Sequence, residues 1–247
     1  MKSLSLFAVC LVMVGCQPAH NTIIIGHRGA KGYVTENTVA SVAHALDLGV
    51  DMIEIDVFRL RSGEIVVFHD DEVDRLTNGS GPVEEYTYEG LQQLSLEGGH
   101  TIPSLQQVLD AMAHRVPLNI ELKGPGTAAP VYDITREYIS RQGWAPEQFI
   151  ISSFNWDELR AYRRQDPEAR IAVLTEGDPL EALEVAAELN AEAVNPSARA
   201  VTPDAVTRLH KAGYKVYVWT VNDPDVFRDL RAMGVDGIFS DYPDRMR

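Results

Sequence analysis

The body of this chain lacks cysteine, because the two cysteines among its 247 residues, Cys10 and Cys16, both lie near the N-terminus. This distribution excludes a disulfide, a cysteine-ligated zinc site and a cysteine nucleophile from everything after residue 16. Basic residues are also scarce, since 22 Lys and Arg stand against 36 Asp and Glu, for a formal net charge of −14. Nucleic-acid-binding proteins normally present a basic surface, so nucleic acid is not an expected partner.

Apolar runs long enough to span a membrane are missing as well, and the N-terminus carries only a short one. Residues 4–14 are apolar but too few to span a bilayer as a mature helix, and Lys2 precedes them as in a secretory signal. Gly15 and Cys16 resemble the cleavage box of bacterial lipoproteins, although Met13 stands where leucine is usual. An ordinary cleaved signal with an incidental cysteine is the alternative.

These features predict an exported protein that is attached to a membrane through a lipidated Cys16. Residues 1–15 would be the lipoprotein-type signal peptide and residues 16–21 a short tether. The expected location is a bacterial cell envelope, on the periplasmic side if there are two membranes.

The remaining chain has the pattern of a parallel α/β fold. Apolar residues make up 45% and charged residues 23%, as in ordinary globular proteins. Short apolar runs alternate with amphipathic stretches, which favours a parallel sheet. The predicted strands are 23–26, 52–60, 65–69, 118–122, 149–153, 171–175, 193–195, 216–221 and 237–240. Eight strands result when 52–60 and 65–69 form one region, so we predict a single (β/α)₈ TIM barrel over residues 22–247.

Two departures from a regular barrel are expected. Residues 71–100 have no long apolar period and predict an insertion after the second of the eight strands, the region formed by 52–60 and 65–69. Connections of this length are usually functional or ordered by contacts. Only residues 242–247 follow the last predicted strand, so the last helix of the barrel is vestigial.

Carboxylates alternate with apolar residues on strands that a barrel buries on both faces. Glu54 and Asp56 share one face of the second predicted strand, and Glu121 and Lys123 share one face of the fourth. The outer face packs on helices, so these side chains point inward near the C-terminal strand ends, where barrel enzymes place their chemistry.

Three buried carboxylates require a positive partner, because burying an unpaired carboxylate is costly. A hard divalent cation, Ca²⁺ or Mg²⁺, takes oxygen ligands and fits Glu54, Asp56 and Glu121. An internal salt-bridge network with Arg28 and Lys123 is the alternative.

Two histidines, His27 and His69, end predicted strands near the same barrel mouth. In phosphodiester cleavage one imidazole can activate the attacking oxygen while the other protonates the leaving alcohol. Arg28 and Lys123 suit contacts with phosphoryl oxygens. Trp219 either lines the pocket or fills the core.

In the order and spacing of its motifs, the chain resembles the glycerophosphodiester phosphodiesterases. The motifs are His27-Arg28-Gly29, Glu36-Asn37-Thr38, Glu54-x-Asp56, His69-Asp70, the insertion segment 76–81, 102–105, Glu121-x-Lys123, 219–222 and 236–241. The resemblance implies a metal-dependent barrel enzyme that hydrolyses glycerophosphodiesters to sn-glycerol 3-phosphate and an alcohol. It implies the following roles: His27 and His69 as the acid/base pair, Glu54, Asp56 and Glu121 as ligands of one Ca²⁺ or Mg²⁺, Arg28 and Lys123 as phosphate contacts, and Trp219 as an aromatic wall.

Other functions fit parts of this pattern. A lysophospholipase D would use the same chemistry on lysophospholipids, with an apolar acyl channel that the 71–100 insertion is long enough to form. A non-catalytic, phosphate-binding lipoprotein would have no need of both histidines. Direct attack by water and initial attack by a glycerol hydroxyl, which gives a cyclic phosphate, both remain open.

The lipid anchor predicts that Cys16→Ser moves the protein from the membrane fraction to the soluble fraction of fractionated cells. Firm attachment needs more than one acyl chain, and all of them would be carried by Cys16. Cys10→Ser, which lies inside the signal, is the matched control and stays membrane-bound. A Cys16→Ser protein that sediments with membranes as completely as the wild type would show that there is no lipid anchor.

Overall fold

The structure is a computed structural model that describes residues 21–246. The predicted signal peptide and Cys16 lie outside the described residues. Among the described residues, no helix combines the length and the apolar character needed to cross a membrane.

A closed barrel of eight parallel strands forms the centre of the molecule, which confirms the predicted fold. The strands in chain order are β1 (Ile23–Gly26), β2 (Met52–Arg59), β3 (Ile65–Val67), β4 (Leu118–Leu122), β5 (Phe149–Ser153), β6 (Arg170–Thr175), β7 (Ala193–Pro196), β8 (Lys215–Val218) and β9 (Gly237–Ser240). β1 pairs in parallel with both β2 and β9, and these two pairings close the barrel.

Helices surround the strands on the outside. They are α1 (Val39–Asp47), α2 (Tyr88–Leu91), α3 (Leu105–Met112), α4 (Ala128–Arg141), α5 (Trp156–Gln165), α6 (Leu183–Glu188), α7 (Pro203–Lys211) and α8 (Pro224–Met233). Helix α3 begins with a capping box between Ser104 and Gln107, a sequence signature of a helix start. After β9 there is a single 3₁₀ turn, Pro243–Arg245, in the place of a last barrel helix.

The alternation along β2 and β4 divides the core into two layers. Ile53, Ile55 and Val57 belong to the large cluster between barrel and helices. A smaller cluster fills the barrel interior, and its buried members are Ile25, Met52, Ile150, Ala172, Ala193, Tyr217 and Phe239. Glu54 and Asp56 alternate with Ile53, Ile55 and Val57 along β2, and their side chains therefore point into the barrel, as predicted.

Strand β3 differs from the prediction in direction and length. It is antiparallel to β2 and ends at Val67, so His69 does not end a parallel barrel strand. The strand pairs Arg59 with Ile65, and the chain then runs back towards the barrel until Phe68 donates its backbone N–H to Asp56. This return places His69 near the carboxylates from above the barrel mouth.

Residues 71–100 fold around a further apolar cluster, to which the β2–β3 hairpin also contributes side chains. Its buried members are Phe58, Leu60, Val66, Phe68, Val73, Val83, Leu91, Leu96 and Ile102. The apolar side chains of the insertion thus pack against the hairpin, and they hold in place the strand that leads to His69.

Candidate active site

A cavity of about 380 Å³ opens at the C-terminal end of the barrel and contains almost all of the predicted site. Its lining includes His27, Arg28, Glu54, His69, Glu121, Lys123 and Trp219. Asp56 is 1% exposed and lies against the same group, since one carboxylate oxygen each of Glu54, Asp56 and Glu121 lies within 4.8 Å of the others.

A tight turn after β1 brings Arg28 into this group. The turn needs positive φ angles of 50° at Arg28 and 82° at Gly29, and a Cβ on Gly29 would lie 2.4 Å from the Ser41 hydroxyl oxygen. Glycine is therefore required there for both conformation and space. The backbone N–H of Arg28 donates to Glu54 Oε2 at 2.8 Å as a result.

Register places the three carboxylates side by side. Asp56 on β2 pairs with Glu121 on β4, and Glu54 lies two residues earlier on the same face. Burial, and then the charges of Asp56 and Glu121, raise the pKa of Glu54 well above its ordinary value. Burial and the charge of Asp56 likewise raise the pKa of Glu121 to about 7. The cluster therefore favours an added positive charge.

Arg28 and Lys123 supply part of that charge, as the salt-bridge alternative expected. Arg28 Nε lies 3.3 Å from Asp56 Oδ2, and Lys123 Nζ lies 3.1 Å from Glu121 Oε1. Arg28 also donates to Glu36 at 2.7 Å, so its guanidinium is not reserved for Asp56.

The carboxylate oxygens that accept no hydrogen bond from Arg28 or Asn37 fit a hard divalent cation. Glu54 Oε2 and Asp56 Oδ2 accept hydrogen bonds from Arg28 and Asn37, which leaves one oxygen of each carboxylate without a hydrogen bond to the described residues. Glu121 contributes a third carboxylate. Three close, buried, anionic oxygens match the ligand preference of Ca²⁺ or Mg²⁺ better than that of a softer metal.

Each candidate catalytic histidine is held at Nδ1 by a carboxylate. His27 Nδ1 donates to Asp241 at 2.6 Å, and His69 Nδ1 donates to Asp70 at 2.5 Å. Nε2 of His27 lies 4.0 Å from Glu54, and Nε2 of His69 lies 3.4 Å from Lys123 Nζ. Burial lowers the pKa of both imidazoles, so each is neutral near pH 7 with its Nε2 lone pair on the side of the cluster.

Asp241 and Asp70 were not among the predicted site residues. Asp70 directly follows His69, so its adjacency was a usable signal. Asp241 follows β9 and is 214 residues from His27, so only closure of the barrel brings the two together. Asn222 donates to Asp241 at 2.8 Å and fixes its orientation. Burial acts to raise the pKa of Asp241, but the hydrogen bonds from His27 and Asn222 and the nearby positive charges together outweigh it and lower the pKa to about 2.

Glu36 links Arg28, beside the acidic cluster, to Arg75, beside His69 and Asp70. It is 5% exposed and accepts hydrogen bonds from Arg28 and Arg75, both at 2.7 Å. Arg75 also donates to Asp70, the partner of His69. Burial acts to raise the pKa of Glu36, but the hydrogen bond from Arg75 and the charge of Arg28 outweigh it and lower the pKa to about 2.

The neighbouring residues Asn37 and Thr38 have different roles. Thr38 is the N-cap of α1 and accepts the N–H of Ser41 at 3.0 Å. Asn37 instead donates its side-chain amide to Asp56 at 2.9 Å, and so positions a candidate metal ligand.

Trp219 lines the cavity and so belongs to its wall. Its Nε1 donates to the carbonyl of Asn195 at 2.9 Å, and its ring meets Phe154 edge-on at 5.4 Å between centroids. The described lining residues include none from 71–100.

The comparisons with known proteins show the family of the chain. Residues 27–245 match the glycerophosphoryl diester phosphodiesterase family. The chain is 36% identical over 231 residues to the Bacillus subtilis protein YhdW, and the match covers 90% of this chain and 95% of that protein. It is 33% identical over 238 residues to the glycerophosphodiester phosphodiesterase of Caldanaerobacter subterraneus, covering 91% and 96% of the two chains. Among solved structures, an Oleispira antarctica phosphodiesterase in complex with the product sn-glycerol-3-phosphate superposes with a TM-score of 0.84 at 29% identity, covering 91% of this chain and 94% of that one.

The buried Glu36 predicts a pH-dependent contribution to stability. Its pKa is about 2 in the folded chain against an ordinary 4.5, so the contribution is fully present above pH 4.5 and is lost as the pH falls towards 2. Urea unfolding between pH 2.5 and 7 should therefore show a larger loss of unfolding free energy on acidification for the wild type than for Glu36→Gln.

The exposed Glu137, paired with Arg141 on α4, provides the matched control. Glu137→Gln should follow the wild-type pH dependence, because exposed ion pairs contribute little. Equal acid sensitivity of the wild type and Glu36→Gln would contradict the assignment.

Proposed function

The chain belongs to the glycerophosphoryl diester phosphodiesterase family, and from that premise we propose how this glycerophosphodiester phosphodiesterase acts. It hydrolyses a glycerophosphodiester to sn-glycerol 3-phosphate and an alcohol, with two histidines as acid and base and one bound divalent cation, Ca²⁺ or Mg²⁺. The observation that carries the proposal is the single cavity that contains both carboxylate-held histidines and the acidic cluster. The product bound to the Oleispira antarctica relative supports the reaction assigned here.

His27 and His69 are the proposed proton-transfer groups. With Nδ1 donating to Asp241 or Asp70, each neutral imidazole keeps Nε2 as a proton acceptor. One histidine takes the proton of the attacking oxygen, and the other, once protonated, gives its proton to the leaving alcohol. The carboxylate at Nδ1 stabilises the imidazolium that forms at each of them in turn.

Arg28 and Lys123 are the proposed phosphate contacts. Both line the cavity, and their side chains are 11% and 19% exposed, so contacts with phosphoryl oxygens would be made largely away from bulk water. The charges of Glu121 and Asp56 outweigh burial and raise the pKa of Lys123, which keeps it protonated at neutral pH. Glu36 and Asp56 orient Arg28.

Glu54, Asp56 and Glu121 would hold the cation. When bound, a divalent cation neutralises charge that develops on the phosphoryl group in the transition state. The residues around the cluster prepare it for this role, because Asn37 orients Asp56 and the Arg28 backbone orients Glu54.

Activity on lysophospholipids stays a prediction without a supporting contact. It requires an apolar channel for an acyl chain, whereas the apolar side chains of the insertion pack against the β2–β3 hairpin. The proposed location, a cell envelope with attachment through Cys16, is supported by the sequence alone.

The acid/base assignment predicts that His27→Ala and His69→Ala each lower kcat by about 100-fold or more. The measurement is release of sn-glycerol 3-phosphate from a glycerophosphodiester, with circular dichroism to show that the variants fold. His100→Ala, in the insertion and away from the cavity lining, is the control and should keep wild-type turnover. Full activity of either cavity variant would remove that histidine from the mechanism.

A further inference from the structure

One arginine of the insertion, Arg75, holds two carboxylates that each contact a residue of the candidate active site. Asp70 accepts the Nδ1–H of His69, and Glu36 accepts a hydrogen bond from Arg28. Arg75 is not among the residues that line the cavity, so any effect it has on the reaction passes through these partners. We propose that Arg75 is a positioning residue that fixes His69 through Asp70, an inference that rests on the proposed function.

The guanidinium of Arg75 makes a two-point contact with each carboxylate. Nε and Nη2 donate to the two oxygens of Asp70, the second at 3.1 Å. Nη1 and Nη2 donate to the two oxygens of Glu36 at 3.2 and 2.7 Å. Because the guanidinium is planar and rigid, these contacts fix the two carboxylates relative to each other. The single nitrogen of a lysine could not make both contacts in this way.

His69 depends on such a contact more than a residue within a strand would. It lies on a loop beyond the end of β3, and the side chains of His69 and Asp70 are 28% and 23% exposed. At the other histidine, the corresponding carboxylate of Asp241 is fixed by Asn222, which donates to its side chain and accepts its backbone N–H. Arg75 is the group that orients Asp70 in the same sense.

The fold of the insertion fixes the backbone on both sides of Arg75. Val73 is fully buried in the apolar cluster of the insertion. Its backbone N–H donates to Gly81, and its carbonyl accepts the N–H of Thr77. The carbonyl of Leu76 accepts an N–H from the far end of the insertion. The insertion therefore presents Arg75 to the active site, although its own residues do not line the cavity.

An exposed surface ion pair is the competing interpretation, because the Arg75 side chain is 48% exposed and such pairs contribute little. The partners of Arg75 are not those of an ordinary surface pair, since the Glu36 side chain is only 4% exposed. Burial acts to raise the pKa of Asp70, but the hydrogen bonds from Arg75 and His69 and the nearby positive charge together lower it to about 2. The carboxylate that holds His69 is therefore ionised at neutral pH.

The test compares Arg75→Ala with the wild type in the release of sn-glycerol 3-phosphate from glycerophosphoethanolamine. We expect kcat to fall about 10-fold or more, because small displacements of a catalytic group are costly, and KM to change by less than about 2-fold. Guanidinium chloride at about 20 mM, far below the concentrations that unfold proteins, should restore part of the lost kcat. The half-exposed position of Arg75 gives the free ion access, whereas sodium chloride at the same concentration should restore nothing.

Two further variants separate positioning from a merely structural role. In an Asp70→Asn background, Arg75→Ala should lower kcat by less than about 2-fold, because the residue through which it acts is already altered. Arg75→Lys keeps one charge without the planar fork, so its kcat should lie between those of Arg75→Ala and the wild type. Arg61→Ala, an exposed arginine in the turn between β2 and β3, is the matched control and should keep the wild-type kcat with or without guanidinium.

A folded Arg75→Ala protein with the wild-type kcat would overturn this proposal. So would a fall in kcat that guanidinium does not restore and that is equally large in the Asp70→Asn background, since the loss would then be structural. If Arg75→Ala does not fold by circular dichroism, the same comparison of kcat and KM is made with Arg75→Lys. A wild type that releases no sn-glycerol 3-phosphate would instead contradict the proposed function itself.

Discussion

Mutual repulsion among three buried carboxylates is the constraint on which the rest of this site depends. Glu54, Asp56 and Glu121 lie on two adjacent strands and are largely buried at the barrel mouth, where their charges are costly. Arg28 contacts Glu54 and Asp56, Asn37 contacts Asp56 and Lys123 contacts Glu121, and a further positive charge would stabilise the cluster. A site that is unfavourable by itself is prepared for a cation and for the phosphate that the cation would attract.

The second feature is that both histidines reach this cluster by different routes and are then held in the same way. His27 follows a barrel strand directly, whereas His69 arrives on a returning hairpin that the insertion packs against. Each donates Nδ1–H to a carboxylate, yet the carboxylates differ in setting. Asp241 is held by the neutral amide of Asn222, and Asp70 is paired with the guanidinium of Arg75. The two imidazoles therefore occupy unequal electrostatic environments, as a division into acid and base requires.

Sequence patterns predicted the parts of this site that local periodicity determines. Alternation on β2 and β4 was enough to place Glu54, Asp56 and Glu121 on the inner face, because a strand has only two faces. The antiparallel direction of β3 was missed, since an apolar run of three residues does not show which way its strand pairs. Glu36 and Asp241 were missed as well. Their partners, Arg75 and His27, are 39 and 214 residues away, and such contacts follow from tertiary closure.

Calorimetric titration of the metal-free protein with Ca²⁺ or Mg²⁺ tests the central claim most directly. The account predicts one cation bound per wild-type chain. It predicts none for a folded variant in which Glu54→Gln, Asp56→Asn and Glu121→Gln are combined, because neutral amides remove the anionic ligands but keep the shapes. A wild-type chain that binds no divalent cation and hydrolyses glycerophosphodiesters at its full rate in the presence of a chelator would contradict it.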